Sequence, residues 1–135
     1  MPPRRDGPPT DSPRPTSQRF GRVLRLTGRS GFAHVLKTGL RAKSPQLVLY
    51  LLPNHLPRTR LGISIGRPAG IAVKRNRIKR LVREAFRLRR AELPVGYDLV
   101  VVVRPHAPLE LGRYQELLLD LASQVHRRWQ ERQQR

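Results

Sequence analysis

The apolar segment Leu99–Val103 constrains the fold of this chain more than any other feature of the sequence. Its five consecutive apolar residues place side chains on both faces of a β-strand. A strand of this kind is covered on both sides and lies in the centre of a sheet. The chain has 135 residues, which is the length of one ordinary domain. We therefore expect a small sheet with this strand at its centre.

The other elements follow from apolar periodicity and from the positions of proline and glycine. They are a short helix from a cap at Thr27 to a stop signal at Gly39, strands at 46–52 and 60–65, and helices at 72–92 and 112–131. The segment 53–59 contains two prolines and suits a hairpin loop between the two strands. Together these elements predict an α+β domain with a small sheet and three helices.

The first twenty residues differ in composition from the rest of the chain. They hold six of the 13 prolines, and Met1 is their only large apolar residue before Phe20. Such a stretch buries too little surface to offset the entropy of ordering. We therefore expect residues 1–21 to be a disordered tail rich in proline and arginine. Residues 22–131 then form a single domain, and residues 132–135 are a C-terminal tail.

Charge and composition exclude several classes of function. Lys and Arg number 28 against nine Asp and Glu, and the net charge of +19 opposes compaction unless a polyanion relieves it. The absence of cysteine excludes disulfides, thiolate metal sites and cysteine nucleophiles. The longest apolar run is far shorter than the roughly 20 residues of a membrane span, and the first residues lack the apolar stretch of a secretory signal. We expect a cytoplasmic protein that associates with nucleic acid and not with a membrane.

The predicted helix at 72–92 concentrates this charge on one side. At 100° per residue, one stripe roughly 80° wide carries Asn76, Arg80, Arg83, Arg87 and Arg90. The opposite side is apolar and carries Ile78, Leu81, Val82, Ala85 and Leu88. Between Lys74 and Arg90 there are nine basic residues and one acid, whereas solvated helix faces usually mix signs. Because such a row repels itself unless a polyanion lies along it, we predict a nucleic-acid interface, with a solvated face as the alternative.

Asn76 stands between two arginines, where a patch that works by charge alone does not need it. Asparagine is an indifferent helix former. Its amide can donate to a phosphate and accept from a 2′-hydroxyl or a base edge. We predict an RNA contact for Asn76, and a capping role at the start of the helix is the alternative.

The run from Lys74 to Phe86, with its Arg-Asn-Arg core, resembles the signature of the bacterial ribonuclease P protein family. The resemblance covers about residues 22–130. It also rests on the segments Leu26–Thr27 with Phe32, Val48–Tyr50, Leu61–Ser64, Gly70 with Ala72, and Tyr97–Arg104. The implied fold is a mixed sheet of about four strands with three helices, like the second domain of the fifth small-subunit ribosomal protein. It includes a left-handed β-α-β crossover, although the general rule favours a right-handed one.

The resemblance implies the protein subunit of a ribonucleoprotein that removes 5′ leaders from precursor tRNA. In that family the RNA subunit supplies the active site, and Mg²⁺ is bound mainly by RNA and not by the protein alone. The residues matching the RNA-subunit contacts are Arg75, Asn76, Arg77, Lys79, Arg80 and Arg83. Lys74, Arg87 and Arg90 of the same basic helix are further predicted contacts. The residues matching the leader cleft, between the first helix and the sheet, are Phe32, Tyr50 and Ser64. Leu36 and Arg67 are further predicted leader contacts.

Strand periodicity supports the cleft independently. Leu47, Leu49 and Leu51 share one face of the strand at 46–52, which we expect to be the core face. Tyr50 points the other way, onto a face that can also carry Ser64 from the next strand. With Phe32 beside it, an exposed tyrosine offers a stacking platform for unpaired bases. Packing of both rings under the first helix is the alternative.

Two positions depart from the family pattern. Leu36 stands where a second aromatic residue is common, four residues after Phe32, and this removes one stacking surface. The dipeptide Arg67-Pro68 stands where two consecutive basic residues are favoured, so one phosphate contact is missing and the loop is stiffer. Leader binding is therefore the part of the resemblance that these departures weaken.

Two other classes of function are alternatives. A ribosomal or RNA-chaperone protein would suit the same fold and charge. A metal-dependent nuclease would need clustered carboxylates or histidines of its own. The four histidines lack metal-ligand spacing, so we expect no metal site: His34, His55, His106 and His126.

Overall fold

The computed structural model describes Leu26 and residues 29–134. Its regular elements are α1 (Arg29–Thr38), β1 (Leu40–Lys43), β2 (Leu47–Pro53), β3 (Arg60–Ile65), α2 (Ala72–Arg89), β4 (Tyr97–Val103) and α3 (Leu111–Gln133). Short 3-10 turns precede and follow α2, at Arg67–Ala69 and Arg90–Glu92. Three helices and four strands confirm the α+β class. The predicted tail at 1–21 and the predicted cap at Thr27 lie outside the described residues.

The most apolar strand, β4, lies in the interior of the sheet. The strand order is β1-β2-β4-β3, with β3 and β4 parallel and the other neighbours antiparallel. Leu99 of β4 faces Leu51 on one side and Leu61 on the other, and all three side chains are buried. The prediction of a central strand covered on both faces is confirmed.

The predicted hairpin between β2 and β3 is wrong, because β4 lies between these two strands. The segment 53–59 instead passes the end of β4, where Asn54 N–H donates to the Gly96 carbonyl over 2.9 Å. A strand that is apolar on both faces gains from a hydrogen-bonded neighbour at each edge, so it separates two strands that are consecutive in sequence. The connection from β3 to β4 runs through α2 and forms the implied β-α-β unit. The left-handedness of this unit stays a prediction.

The short strand β1 was not predicted from its residues. Leu40 and Ala42 point inward while Arg41 and Lys43 point outward, and four residues are too few for a recognisable alternation. At the edge of the sheet, these two exposed cations oppose pairing with a further strand. The α3 helix also continues to Gln133, two residues beyond its predicted end.

One face of the sheet packs against α2 and α3 and forms the main core. The predicted core residues Leu47, Leu49 and Leu51 are fully buried there. Leu88, which we placed on the apolar side of α2, is instead 45% exposed. Phe86 is fully buried instead. At roughly 100° per residue, it lies on the same side of the helix as Ile78, Val82 and Ala85.

The opposite face of the sheet packs against α1, and we name it the α1 face. A second, smaller core joins α1 to this face through Leu26, Val35, Leu52 and Val100. Phe32, Tyr50, Val102 and Trp129 pack around it while staying partly exposed. The indole N–H of Trp129 donates to the Leu51 carbonyl over 2.9 Å, so this tryptophan helps to join α3 to the sheet.

Candidate nucleic-acid interface

The buried side of α2 determines which of its residues face solvent. Ile78, Val82 and Ala85 have no exposed surface, and they fix the rotation of the helix against the sheet and α3. Most of the predicted RNA-subunit contacts then lie at or near the surface. Asn76, Arg77 and Arg80 are exposed, and Lys74, Arg75, Lys79, Arg83, Arg87 and Arg90 are half-buried. We call Asn76, Arg80, Arg83, Arg87 and Arg90 the α2 stripe.

Asn76 is the fifth residue of α2, so the alternative that it caps the helix is wrong. The N-cap is Ile71, which offers no side-chain cap. The turn before the helix is held differently, because Arg75 Nε donates to the Gly70 carbonyl over 3.0 Å. The side chain of Asn76 therefore faces solvent within a row of cations, as an RNA contact requires.

Acidic partners divide α2 into two halves. Residues 72–83 contain no acidic residue. In the second half, Arg87 Nε donates to Glu84 Oε1 over 3.0 Å, and a second contact joins Arg87 Nη2 to Glu84 Oε2. This hydrogen bonding lowers the pKa of the Glu84 carboxyl below its ordinary value. The first part of α2 therefore carries its cations without an acidic residue of its own, and the charge of Arg87 is compensated by Glu84.

The last turn of α2 is tied to other parts of the fold. Arg89 Nε donates to Gln115 Oε1 of α3 over 2.8 Å, and Arg89 Nη1 pairs with Glu92 Oε2 over 2.8 Å. Arg89 therefore serves helix packing, in agreement with its position outside the α2 stripe.

The aromatic residues of the predicted leader cleft lie on the α1 face. Phe32 of α1 covers Gly62 so closely that a Cβ at this glycine would lie 2.6 Å from Phe32 Cζ. Along the sheet, Gly62 faces Val100, and Val100 faces Tyr50. Because neighbouring strands are about 4.8 Å apart, Tyr50 and Gly62 lie roughly 10 Å apart, with Val100 between them. Both rings are half-buried, so each has a packed part and an exposed part.

The other predicted leader contacts are more dispersed. Ser64 lies on the α1 face and faces Val102, but β4 separates it from the strand that carries Tyr50. Leu36 lies one turn after Phe32, is 38% exposed and does not belong to the small core. Arg67 is exposed in the 3-10 turn before α2. The structure thus joins Phe32 and Tyr50 through one small core and leaves Leu36 and Arg67 at its margin.

Two cations of the α1 face were missed by sequence reasoning. Arg41 of β1 faces Tyr50, and its Nη1 donates to the tyrosine hydroxyl over 3.3 Å. Lys43 faces Val48 on the same side of the sheet. The missing signal was β1 itself, because only its pairing with β2 brings these residues beside Tyr50.

Asp98 closes one end of the α1 face in an ion pair. Arg60 Nε and Nη2 donate to the two carboxylate oxygens over 2.8 Å each, and Asn54 Nδ2 donates to Oδ1 over 2.9 Å. The hydrogen bonds that Arg60 donates to Asp98 raise the pKa of its guanidinium. The carboxylate is therefore occupied in joining β3, β4 and the segment after β2.

Two histidines, one in the segment after β4 and one in α3, make hydrogen bonds that stabilise the fold. His106 Nδ1 donates to the Arg104 carbonyl over 2.8 Å, and its Nε2 lies 2.8 Å from the Tyr114 hydroxyl. His126 Nδ1 lies 2.8 Å from the Tyr97 hydroxyl. Burial raises the pKa of both tyrosines. Across Leu26 and residues 29–134, no three His, Asp or Glu side chains form a group that could hold a metal ion.

Comparison with known proteins decides the family. The family model named Ribonuclease P matches residues 20–127, which include α2, the α1 face and all four strands. The chain belongs to the ribonuclease P protein family. The resemblance carried by the Arg-Asn-Arg run is confirmed.

Relatives and solved structures agree with this assignment. The ribonuclease P protein component of Desulfovibrio desulfuricans is 39% identical over 111 residues, which cover 78% of this chain and 85% of the relative. That of Thermotoga maritima is 34% identical over 114 residues, covering 81% and 97%. The solved T. maritima protein has a TM-score of 0.65 at 31% identity, covering 71% of this chain and 96% of that one. The Staphylococcus aureus protein gives 0.65 at 30% identity, covering 72% and 93%.

Membership of the ribonuclease P protein family makes this chain a subunit of a tRNA-processing ribonucleoprotein whose partner is the ribonuclease P RNA. The ribosomal and RNA-chaperone alternative is not favoured. Among the helices that the structure describes, none is long and apolar enough to cross a membrane.

Proposed function

We propose that this protein binds the ribonuclease P RNA through α2, with the N-terminal half of the helix making the main contact. The observation that carries the proposal is the exposed row of Asn76, Arg77 and Arg80 on a helix whose other side is fully buried. Guanidinium forks match phosphate geometry, and the Asn76 amide adds a group that can read a 2′-hydroxyl or a base edge. The flanking cations complete the contact: Lys74, Arg75, Lys79, Arg83, Arg87 and Arg90.

The α1 face is the proposed site for the 5′ leader of precursor tRNA. Phe32 and Tyr50 expose ring surface on either side of Val100, and unpaired bases stack on such rings without strict sequence preference. Arg41 lies beside the Tyr50 hydroxyl and supplies positive charge for the leader backbone. Ser64, Leu36 and Arg67 lie further from the two rings and make weaker contacts with the leader.

The chemistry belongs to the RNA, with Mg²⁺ held mainly by RNA phosphates. This proposal is supported by the way the protein uses its own titratable groups. Asp98 is held by Arg60 and Asn54, and His106 and His126 are hydrogen-bonded to buried tyrosines. These groups stabilise the fold and are not arranged to activate water. The expected location of such a holoenzyme is the cytoplasm.

Reconstitution with purified components tests the division of labour. Protein and ribonuclease P RNA together should remove the leader of precursor tRNA in the presence of Mg²⁺. The protein alone should not cleave at any Mg²⁺ concentration, because Asp98, His106 and His126 are engaged in hydrogen bonds that stabilise the fold. Specific cleavage by RNA-free protein that is lost in Asp98→Asn or His106→Gln, with the fold intact by circular dichroism, would overturn the proposal.

A further inference from the structure

Two exposed apolar side chains lie at the beginning of α2. Ile71, the N-cap, and Val73, the second helical residue, are each 74% exposed, more than any other large hydrophobic residue in the described part of the chain. Single exposed apolar residues are ordinary on protein surfaces. These two stand within three residues of each other, in the segment where the protein is most basic.

Helix geometry places Val73 on the same side as the α2 stripe. Val73 precedes Asn76 by three residues and Arg80 by seven, which is the 3-4 spacing that continues through Arg83. At 100° per residue, Val73 lies roughly 20° from the direction of Arg80. A surface that the stripe contacts therefore also meets Val73.

We propose that Ile71 and Val73 form an apolar contact with the same RNA that the α2 stripe binds, against the face of a ribose or an unstacked base. This inference rests on the proposed function of α2. The cations that lie near the pair in sequence indicate the occupant: Arg67, Lys74, Arg75 and Arg77. RNA combines phosphates, which satisfy these cations, with apolar sugar and base faces, which cover the two side chains.

An apolar contact makes a prediction that a charge contact does not. Burying Ile71 and Val73 adds binding free energy that does not depend on counterion release. Their replacement should therefore lower affinity at every salt concentration by the same factor. The slope of log affinity against log salt counts phosphate contacts and should stay unchanged.

The test uses the double variant Ile71→Thr/Val73→Thr and the full ribonuclease P RNA. Threonine matches valine in shape and helix propensity, and at the N-cap it is better than isoleucine. We expect affinity to fall about tenfold, which corresponds to the burial of about two methylene-sized groups, with an unchanged salt slope. The melting temperature should hold or rise, which separates a binding role from a structural one.

Val95→Thr is the matched control. Val95 is also aliphatic and 65% exposed, but it lies after the C-terminal end of α2, whereas Ile71 and Val73 lie at the N-terminal end. Its replacement should leave RNA affinity unchanged. A second variant, Val73→Leu, keeps an apolar side chain and should retain most of the affinity.

Three results would overturn the inference. The first is an unchanged affinity in the double variant, and the second is a changed salt slope. The third is a loss of thermal stability or of self-association, which would mean that the pair contacts this chain or a second copy of it. Failure of the proposed function looks different, because Arg80→Gln/Arg83→Gln would then leave RNA affinity unchanged whatever the threonine variants do.

Discussion

The α2 stripe and the α1 face are two surfaces built on different physics. The stripe is a row of cations on one helix, and its geometry depends on residues that are neighbours in sequence. The α1 face combines ring surface from α1 and β2 with cations from β1, over a sheet floor supplied by β4 and β3. Its members extend from Phe32 to Val102, about 70 residues apart in sequence, and strand pairing brings them together.

The difference predicts two kinds of RNA contact. Contacts by the α2 stripe release counterions and weaken steeply with salt. Contacts by Phe32 and Tyr50 depend on stacking, which by itself releases no counterions. A structured RNA suits the first surface, and a single-stranded leader suits the second. Mutations should therefore separate the two ligands.

The largest effect is expected from Arg80→Gln/Arg83→Gln. Both residues belong to the α2 stripe, and glutamine keeps helix propensity while removing two charges. If each contacts one phosphate, the slope of log affinity for the RNA subunit against log salt should shrink by about two, and affinity should fall several tens of fold near 0.1 M salt. Circular dichroism should show that the double variant is folded, so that the lost affinity reports the two removed charges.

The control removes the same charge from another helix. Arg113→Gln/Arg127→Gln takes two exposed cations from α3, which no proposal assigns to RNA. As the control variant, it should keep the salt slope of the parent protein.

Asn76→Ala removes no charge, so it should weaken assembly with the RNA subunit and change the salt slope little. An unaltered slope in Arg80→Gln/Arg83→Gln, with normal assembly, would mean that the stripe is only a solvated face.

Tyr50→Ala addresses the other surface and should act on a different ligand. Loss of one stacking ring costs about 1–3 kcal/mol per base, so binding of precursor tRNA to the holoenzyme should weaken. Binding of mature tRNA should stay nearly unchanged, and Tyr50→Phe should keep most of the leader affinity. Equal loss for both tRNAs, or unfolding of the protein in thermal melts, would show that this ring is only core.

The two surfaces also differ in how far sequence could predict them. The rotation of α2 follows from Ile78, Val82 and Ala85, so the exposure of Asn76 and Arg80 was predicted at the level of single positions. Leu88 was placed on the wrong side, because the exact direction of the buried arc depends on contacts with α3 and the sheet. A local pattern is sufficient for a surface that one helix carries.

Topology limits the prediction of the α1 face. Alternation in β2 and β3 placed Tyr50 and Ser64 on one face, which the register confirms. It could not show that β4 lies between them, because strand order is a non-local property, and so the hairpin prediction failed. Arg41 was missed for the same reason, since β1 is too short to predict without its partner.

Gly62→Ala should have an intermediate effect and tests whether Phe32 acts with Tyr50. The new methyl group would meet Phe32 Cζ at 2.6 Å, so the ring must move. Overpacking of this kind costs about 1–3 kcal/mol of stability. Leader affinity should fall less than in Tyr50→Ala, because the ring is displaced and not removed.

Gly66→Ala is the matched control for this change. Its Cβ would meet Pro68 at an ordinary 3.5 Å. Stability and leader affinity should both stay close to those of the parent protein. If Gly62→Ala lowers stability and leaves leader affinity intact, Phe32 is a structural residue and the leader depends on Tyr50 alone.

The smallest effect is expected from Arg87→Gln, and it tests the division of α2 into two halves. Because Glu84 already compensates the Arg87 charge, the salt slope for the RNA subunit should change by clearly less than one. Glu84→Gln should act in the opposite direction and raise affinity, since it releases Arg87.

The lowered pKa of Glu84 means that its pairing with Arg87 is present above the ordinary carboxyl pKa and is lost as pH falls through the lower folded value. Any gain in RNA affinity from Glu84→Gln should therefore persist at neutral pH and vanish in acid. A change of one or more in the salt slope of Arg87→Gln would extend the RNA contact to the last turns of the helix.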